Sequence, residues 1–491
     1  MAPLQQWQLR AEFARRLSDM YAKEVPAYGT LLAVSQEINR EVMVDQGADA
    51  ERLGTISRVS AERHGAIRLG TPREMAQAAR LFAAMGMHPV GFYDLREAAG
   101  SAVPVVSTAF RPIDPGELAL NPFRVFTSML VPSDRRFFNA DLQNRLTTFL
   151  DRRRLFPDEL LLLADRGAAH GELSHADADR FVDLATAAFE LSREPVDKAW
   201  YEELHTVSSV AADIGGVAST HINHLTPRVL DIDRLYDRMG QRGITMIDAI
   251  QGPPRWQGPD LLLRQTSFRA LAEERAFRTP DGLTTTGDLR VRFGEVEARG
   301  IAATPAGRQR YDELSKRVED AMADRPSGAP DPEVRNSVAA DIWRELLPGT
   351  ETGLALDDLA YFTFRVREPV RRGAAMPPRD LRGLIEGDWV VAEPVVYEDF
   401  LPRSAAGIFQ SNLTSDGTKD DDQQGTAIDS ERMAGLLDAR IHDPYELYEG
   451  MRRRSLTEVA DALSIDAIRS GATSTTSDRP ARPAPPKESQ E

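Results

Sequence analysis

The chain has 491 residues, 42% hydrophobic and 28% charged, with a formal net charge of -16. That balance suits a globular protein with a large core, and its acidity argues against general nucleic-acid or anionic-membrane binding while leaving room for a local positive pocket. There is no cysteine, so disulfides, thiolate nucleophiles, iron–sulfur clusters and Cys-type zinc sites are excluded, and any metal must be held by His, Asp or Glu, with eight His available.

No apolar run approaches the length of a membrane span, and the N-terminus lacks a basic segment followed by an apolar core. The expectation is a soluble cytoplasmic protein. Residues 5–22 read as a helix with Leu9, Phe13 and Leu17 on one face. Residues 24–30 break that pattern, and a second helix carries Leu31, Val34, Ile38 and Val42. Core packing accounts for both.

The run Arg63-His64-Gly65-Ala66-Ile67-Arg68 reads as a strand feeding a helix. Alternation puts His64, Ala66 and Arg68 on one face. An imidazole that can bind metal then sits beside a guanidinium that can grip a carboxylate. Thr71 as cap, Pro72 at the first helical position and Glu74 completing a capping box mark the helix start. Met75, Ala79, Phe82 and Met85 form its buried stripe, and Gly86 can end it. On this stretch alone, a strand-edge His beside a surface Arg is the simpler account.

Strand-like runs follow at 89–95, 103–111 and 124–131, giving the order strand, helix, three strands. Residues 132–215 are charged and largely helical, an insert suited to covering a sheet. Residues 220–228 then read as a strand bearing His221 and His224, and 231–239 as a short helix. Further strands are expected at 244–250, 261–268 and 291–297. The order repeats, so the expected fold class is α+β: two strand–helix–three-strand modules, about 60–131 and 216–299, around one central pocket.

A mixed C-terminal part, about 300–469, carries helices near 305–324 and 331–346 and a strand near 389–398. Residues 397–409 form an unusually apolar loop of the kind that closes over a pocket, and 413–428 an acidic exposed one. Residues 1–469 are read as a single catalytic domain. The tail, 470–491, is rich in Ser, Thr, Pro and Arg and is expected to be disordered.

Two His and one carboxylate on one side of a metal leave positions open for substrate and dioxygen. The candidates here are His64, one of His221 and His224, and Glu295 or Glu297, all on expected strands. Strict alternation groups His221 with Asn223 and Leu225, and His224 with Thr220, Ile222 and Thr226, without saying which face looks inward. Glu295 and Glu297 share a face. The plainer alternative is that both histidines bond nearby loops and the glutamates are solvated.

At these residues the chain resembles the 2-oxoadipate dioxygenase/decarboxylase family, also called 2-hydroxyglutarate synthases. The resemblance lies in residues 24–30, 62–68, 107–112, 122–128, 221–228, 262–268, 292–295, 397–402 and 404–413, in that order. It implies a vicinal-oxygen-chelate-like fold and Fe(II) held by His64, His224 and Glu295. It further implies that Arg68 binds a substrate carboxylate and that backbone at Arg403 and Ser404 lines the substrate pocket. His64 and His224 then border substrate as well as metal. At Arg403 the chain departs from the family pattern, which has a small apolar residue there. The implied reaction is 2-oxoadipate plus dioxygen giving (R)-2-hydroxyglutarate and carbon dioxide, in lysine catabolism. The competing readings are a non-oxidative metalloenzyme, or a non-catalytic binding protein, on the same fold. The sequence is silent on oligomeric state.

Overall fold

The computed structural model describes residues 2–97, 102–270, 273–289, 292–323, 332–368, 376–401, 419–420 and 422–469. Two N-terminal helices, α1 (Gln6–Glu24) and α2 (Pro26–Gln46), are separated by Val25 alone. Residues 24–30 are therefore no long break. Pro26 takes the first helical position, where its missing N–H leaves no helix bond unmade.

The first strand of the five-stranded sheet, β1 (Arg63–Leu69), leads into α3 (Pro72–Ala83). Thr71 caps α3 as expected, its hydroxyl accepting from Glu74 N at 3.2 Å. Glu74 reaches one residue further back than a capping box requires, accepting from Gly70 N at 2.7 Å and from Arg153. Next come β2 (His88–Asp94), β3 (Val105–Arg111) and β4 (Arg124–Leu130). The insert supplies α4 (Ala140–Arg152), α5 (Asp158–His170), α6 (His175–Ala187), α7 (Lys198–Val207) and α8 (Ser209–Gly215). The chain then re-enters the sheet with β5 (Ile222–Pro227).

The sheet order is β2-β3-β4-β1-β5, with β1 parallel to β4 and the other neighbours antiparallel. Ala66, Ala109 and Phe126 on one face pack against Leu142, Leu146, Tyr201, Leu204 and Ile214 of the insert, so the insert does cover the sheet. Ile67, Leu69, Val106, Phe110 and Met129 on the other face pack against α1 and α3 through Phe13, Leu17, Met75 and Phe82.

After β5 come α9 (Ile232–Gln241), β6 (Leu263–Ser267), β7 (Glu273–Arg278), β8 (Thr284–Leu289) and β9 (Glu295–Arg299). Arg228, just past β5, bridges Glu297 in parallel, and β9 pairs antiparallel with β6. The expected strand at 244–250 is reduced to antiparallel bridges Met246–Phe268 and Gln251–Gln265. Met246 and Ile247 are buried, but the Asp248 side chain is exposed, and Gly252, with φ of 105°, and Pro253 end the pairing. Pairing by pairing, this arrangement repeats that of the first half: the opening strand lies parallel to the last, which is antiparallel to the third. The hairpin β7–β8 interrupts the repeat. Its polar, Thr-rich strands carry little apolar alternation, so sequence reading passed over it.

Helices Pro305–Ala323 and Pro332–Leu346 lie where expected, and the strand near 389–398 is confined to Val390–Pro394, paired with Phe362–Val366. The pocket loop beyond Leu401 and the tail lie outside the described residues. Of the acidic 413–428 stretch, the described part is largely exposed. No helix among the described residues is long and apolar enough to cross a membrane.

Candidate metal centre

Three strands bring together three candidate ligands. His64 sits on β1, His224 on β5 and Glu295 at the start of β9, with ligand atoms that all lie within 4.8 Å of one another. The cross-strand partners are His64 with Thr226 and Ala66 with His224. Gly65 permits the close approach of β1 to β5: a Cβ there would lie 2.7 Å from Ile222 Cδ1 and 3.1 Å from Leu225 Cδ2.

The alternation along β5 is broken. The β1–β5 register shifts between Ala66 and Ile67, so that Asn223 is the extra residue of a bulge. Ile222 and Leu225 both enter the apolar core, although alternation would place them on opposite faces. Asn223 and His224 in turn both serve the polar side. A bulge re-aims side chains in this way, and strict period-two reading could not detect it.

The three ligands are 2%, 5% and 5% exposed, which makes the site dry enough that each charge needs a partner. Glu295 Oε2 lies 3.4 Å from His64 Nε2 and 3.7 Å from His224 Nδ1. His224 Nδ1 is also 3.1 Å from Thr226 Oγ1. Phe293 stacks on the His224 ring at 5.3 Å, and Phe400 meets the His64 ring edge-on at 4.9 Å.

Glu297, left open as an alternative ligand, faces the other nitrogen of His64: its Oε1 is 3.2 Å from Nδ1. Its second partner is Arg299, whose Nε donates at 2.6 Å. Burial alone would raise the Glu297 carboxyl, but Arg299, His64 and Arg124 hold it down at about 2. Burial opposes charge on His64 too, yet Glu297 and Glu295 outweigh it and raise the imidazole above its ordinary value. Burial wins at His224, which falls to about 4 despite Glu295.

Behind this pair lies a buried ion network. Glu62 accepts from Arg124 and, at 3.0 Å, from Arg228; Glu398 pairs with Arg58 and lies 3.2 Å from Arg124. These groups hold the ends of β1, β4, β5 and β9 in one cluster. Breaking such a pair by removing one partner typically costs about 3–5 kcal/mol.

Arg68, on the same face as His64, is not a solitary cation. Its Nη1 donates to Asp213 Oδ2 on α8. Asp213 Oδ2 also accepts from Asn223 Nδ2 at 3.0 Å, and His221 Nε2 lies 3.4 Å from its Oδ1. His221 therefore joins the Arg68 cluster and not the metal group. Burial depresses it to about 4, against the pull of Asp213. Sequence reading missed Asp213; its signal was a lone carboxylate in the apolar run Val210-Ala211-Ala212-Asp213-Ile214. Gln265, the cross-strand partner of Glu297, donates from Nε2 to Gln251 Oε1 at 3.4 Å. Arg403 and Ser404 lie outside the described residues.

Two imidazoles and a carboxylate, with a second carboxylate facing the distal nitrogen of one imidazole, fit a divalent metal, since an outer carboxylate fixes the tautomer and orientation of a metal-bound His. The family model for 2-oxoadipate dioxygenase/decarboxylase matches residues 13–412. A relative of that name from Mycobacterium tuberculosis is 56% identical over 448 residues, covering 91% of this chain and 97% of its own length. One from Pseudomonas putida is 41% identical over 466 residues, covering 94% and 98%. The crystal structure of the hydroxyglutarate synthase from Pseudomonas putida in complex with 2-oxoadipate is similar at a TM-score of 0.81 and 39% identity, covering 94% of this chain and 99% of that one. A match over most of the chain at these identities, joined to a ligand group on three converging strands, settles the assignment: the chain belongs to the 2-oxoadipate dioxygenase/decarboxylase family.

Proposed function

We propose that the chain is an Fe(II)-dependent dioxygenase that converts 2-oxoadipate and O2 into (R)-2-hydroxyglutarate and CO2. The observation that carries this reading is the meeting of His64, His224 and Glu295 within 4.8 Å, with His64 on the strand face that also bears Arg68. The fold is read as vicinal-oxygen-chelate-like, its two modules at about 60–131 and 216–299 within one catalytic unit of residues 1–469. The repeated strand pairing supports this.

Bound by the triad, Fe(II) supplies the redox chemistry that joins dioxygen to a 2-oxo acid. His64 would hold the metal through Nε2, which faces Glu295, while Glu297 at 3.2 Å from Nδ1 would favour the proton on that nitrogen. His224, neutral at physiological pH, is ready to bind without losing a proton. Phe293 and Phe400 wall the two imidazoles and keep water from them. Arg68 binds a substrate carboxylate and holds the carbon chain so that one face of the reacting carbon is presented, which fixes the product's hand. Arg403 and Ser404 are proposed as further substrate contacts on the family resemblance. No general base is required, in keeping with a site whose titratable groups are ligands or already ion-paired.

The test is oxygen uptake by the iron-loaded protein with 2-oxoglutarate, 2-oxoadipate and 2-oxopimelate in turn. The expected result is uptake matched mole for mole to 2-hydroxyglutarate with 2-oxoadipate. Turnover that persists without oxygen would overturn the reading in favour of a non-oxidative metalloenzyme.

A further inference from the structure

We propose that Asp213 is a positioning residue that makes Arg68 selective for the remote carboxylate of a 2-oxo diacid. The diacid named here rests on the function proposed above; the positioning role rests on the geometry of α8 against β1 and β5.

Asp213 stands on a helix whose every residue is buried, between the two histidine-bearing strands. Both of its oxygens are engaged. Oδ2 takes Arg68 Nη1 from β1 and Asn223 Nδ2, at 3.0 Å, from the bulge of β5. Oδ1 faces His221 Nε2 at 3.4 Å. One carboxylate thus ties the strand of His64 to the strand of His224, beyond the metal ligands. Tyr201 and Arg275 also act on this spot, and Arg292 acts on His221.

Arg68 lies four residues along β1 from His64, roughly 13 Å between Cα atoms at strand rise. The guanidinium nevertheless acts electrostatically on the His224 imidazole of the neighbouring strand. A short chain anchored by its 2-oxo acid end at the triad brings its far end to the guanidinium. An arginine without a fixed partner would spread over many rotamers, and that freedom would be lost each time substrate binds. The Asp213 contact removes the freedom beforehand, which is preorganisation. It also keeps the buried guanidinium compensated while substrate is away. An uncharged chain end gains nothing from an oriented Arg68. Asp213 should then matter for a diacid and not for a monoacid of equal length.

The test is anaerobic calorimetry of 2-oxoadipate and of 2-oxohexanoate binding to the iron-loaded protein. Measured variants are Asp213→Asn, Arg68→Ala and the double substitution. The expected result for Asp213→Asn is about tenfold weaker 2-oxoadipate binding with 2-oxohexanoate changed by less than about twofold and iron content unchanged. In the Arg68→Ala background the same change should have no further effect on either acid. Asp213→Glu keeps the charge but moves the oxygens by one methylene, and should show a smaller loss of the same selectivity; it decides the matter if the Asn variant does not fold. Equal loss for both acids, or a full additional loss in the Arg68→Ala background, overturns the proposal. Because binding is read without turnover, a protein that discriminates the acids through Asp213 yet consumes no oxygen would sink the proposed reaction and leave this inference standing.

Discussion

The two ring nitrogens of His64 are divided between two glutamates of one strand: Nε2 faces Glu295 at 3.4 Å and Nδ1 faces Glu297 at 3.2 Å. Residues i and i+2 of a strand share a face, so a single strand presents one carboxylate to each nitrogen of the His64 ring, and in the proposed site the first would bind the metal and the second would orient the imidazole. Glu295→Gln should abolish tight iron binding. Glu297→Gln should keep the site but weaken iron by about 10–100-fold, the usual effect of losing an outer-shell partner. Iron titration of both variants checks the order; equal loss would mean both glutamates are ligands.

The histidines of β5 should separate cleanly. His224→Ala and His64→Ala should each lose most iron by elemental analysis. His221→Ala should retain it, because His221 contacts Asp213 and Asn223. Loss of iron from His221→Ala with retention in His224→Ala would reverse the assignment.

Proton release on metal binding follows from the opposite shifts of the two histidines. In the metal-free protein His64 is raised above its ordinary value by Glu297 and Glu295 and so is largely protonated near pH 6, whereas His224, at about 4, is not. Iron binding near pH 6 should therefore expel about one proton, and affinity should climb with pH until the His64 value is passed. Conversely, the stability that charged His64 lends the metal-free fold is full below its unfolded value, ~6.5, and is lost as pH rises through the raised folded value. Calorimetry in buffers of different ionisation enthalpy measures the proton count; a count near zero contradicts the shift.

Arg68→Ala should retain iron while weakening 2-oxoadipate binding, by the ~1.5–3 kcal/mol typical of a hydrogen bond to a charged group. It should also lower the melting temperature, because Asp213 is left buried without its guanidinium. Anaerobic binding and thermal melts measure the two effects separately. Unchanged 2-oxoadipate affinity would remove Arg68 from the substrate site.

Much of this was legible in the chain. The His64 strand, its capped helix and the three strands after it announce themselves through alternation and cap chemistry, which are local. The candidate ligands were legible as residue types, but alternation could not say which of His221 and His224 lies beside His64 and Glu295, because a bulge at Asn223 decides it. The bulge arises from how β5 pairs with β1 across Gly65, a contact between distant segments. Asp213 was missed for the same reason: its partners Arg68 and Asn223 come from elsewhere in the chain. The hairpin β7–β8 escaped because its strands carry little apolar alternation beyond the buried Phe277. The shortened strand near 244–250 shows the reverse error, where apolar residues suggested more pairing than Asp248 and Gly252-Pro253 allow.

The most direct measurement is turnover of 2-oxoadipate by the iron-loaded protein under labelled dioxygen, with the product analysed by mass. The account predicts (R)-2-hydroxyglutarate carrying label from dioxygen in both its hydroxyl group and its new carboxylate, one molecule per dioxygen consumed. Product that forms under anaerobic conditions, or that carries no label, would contradict it.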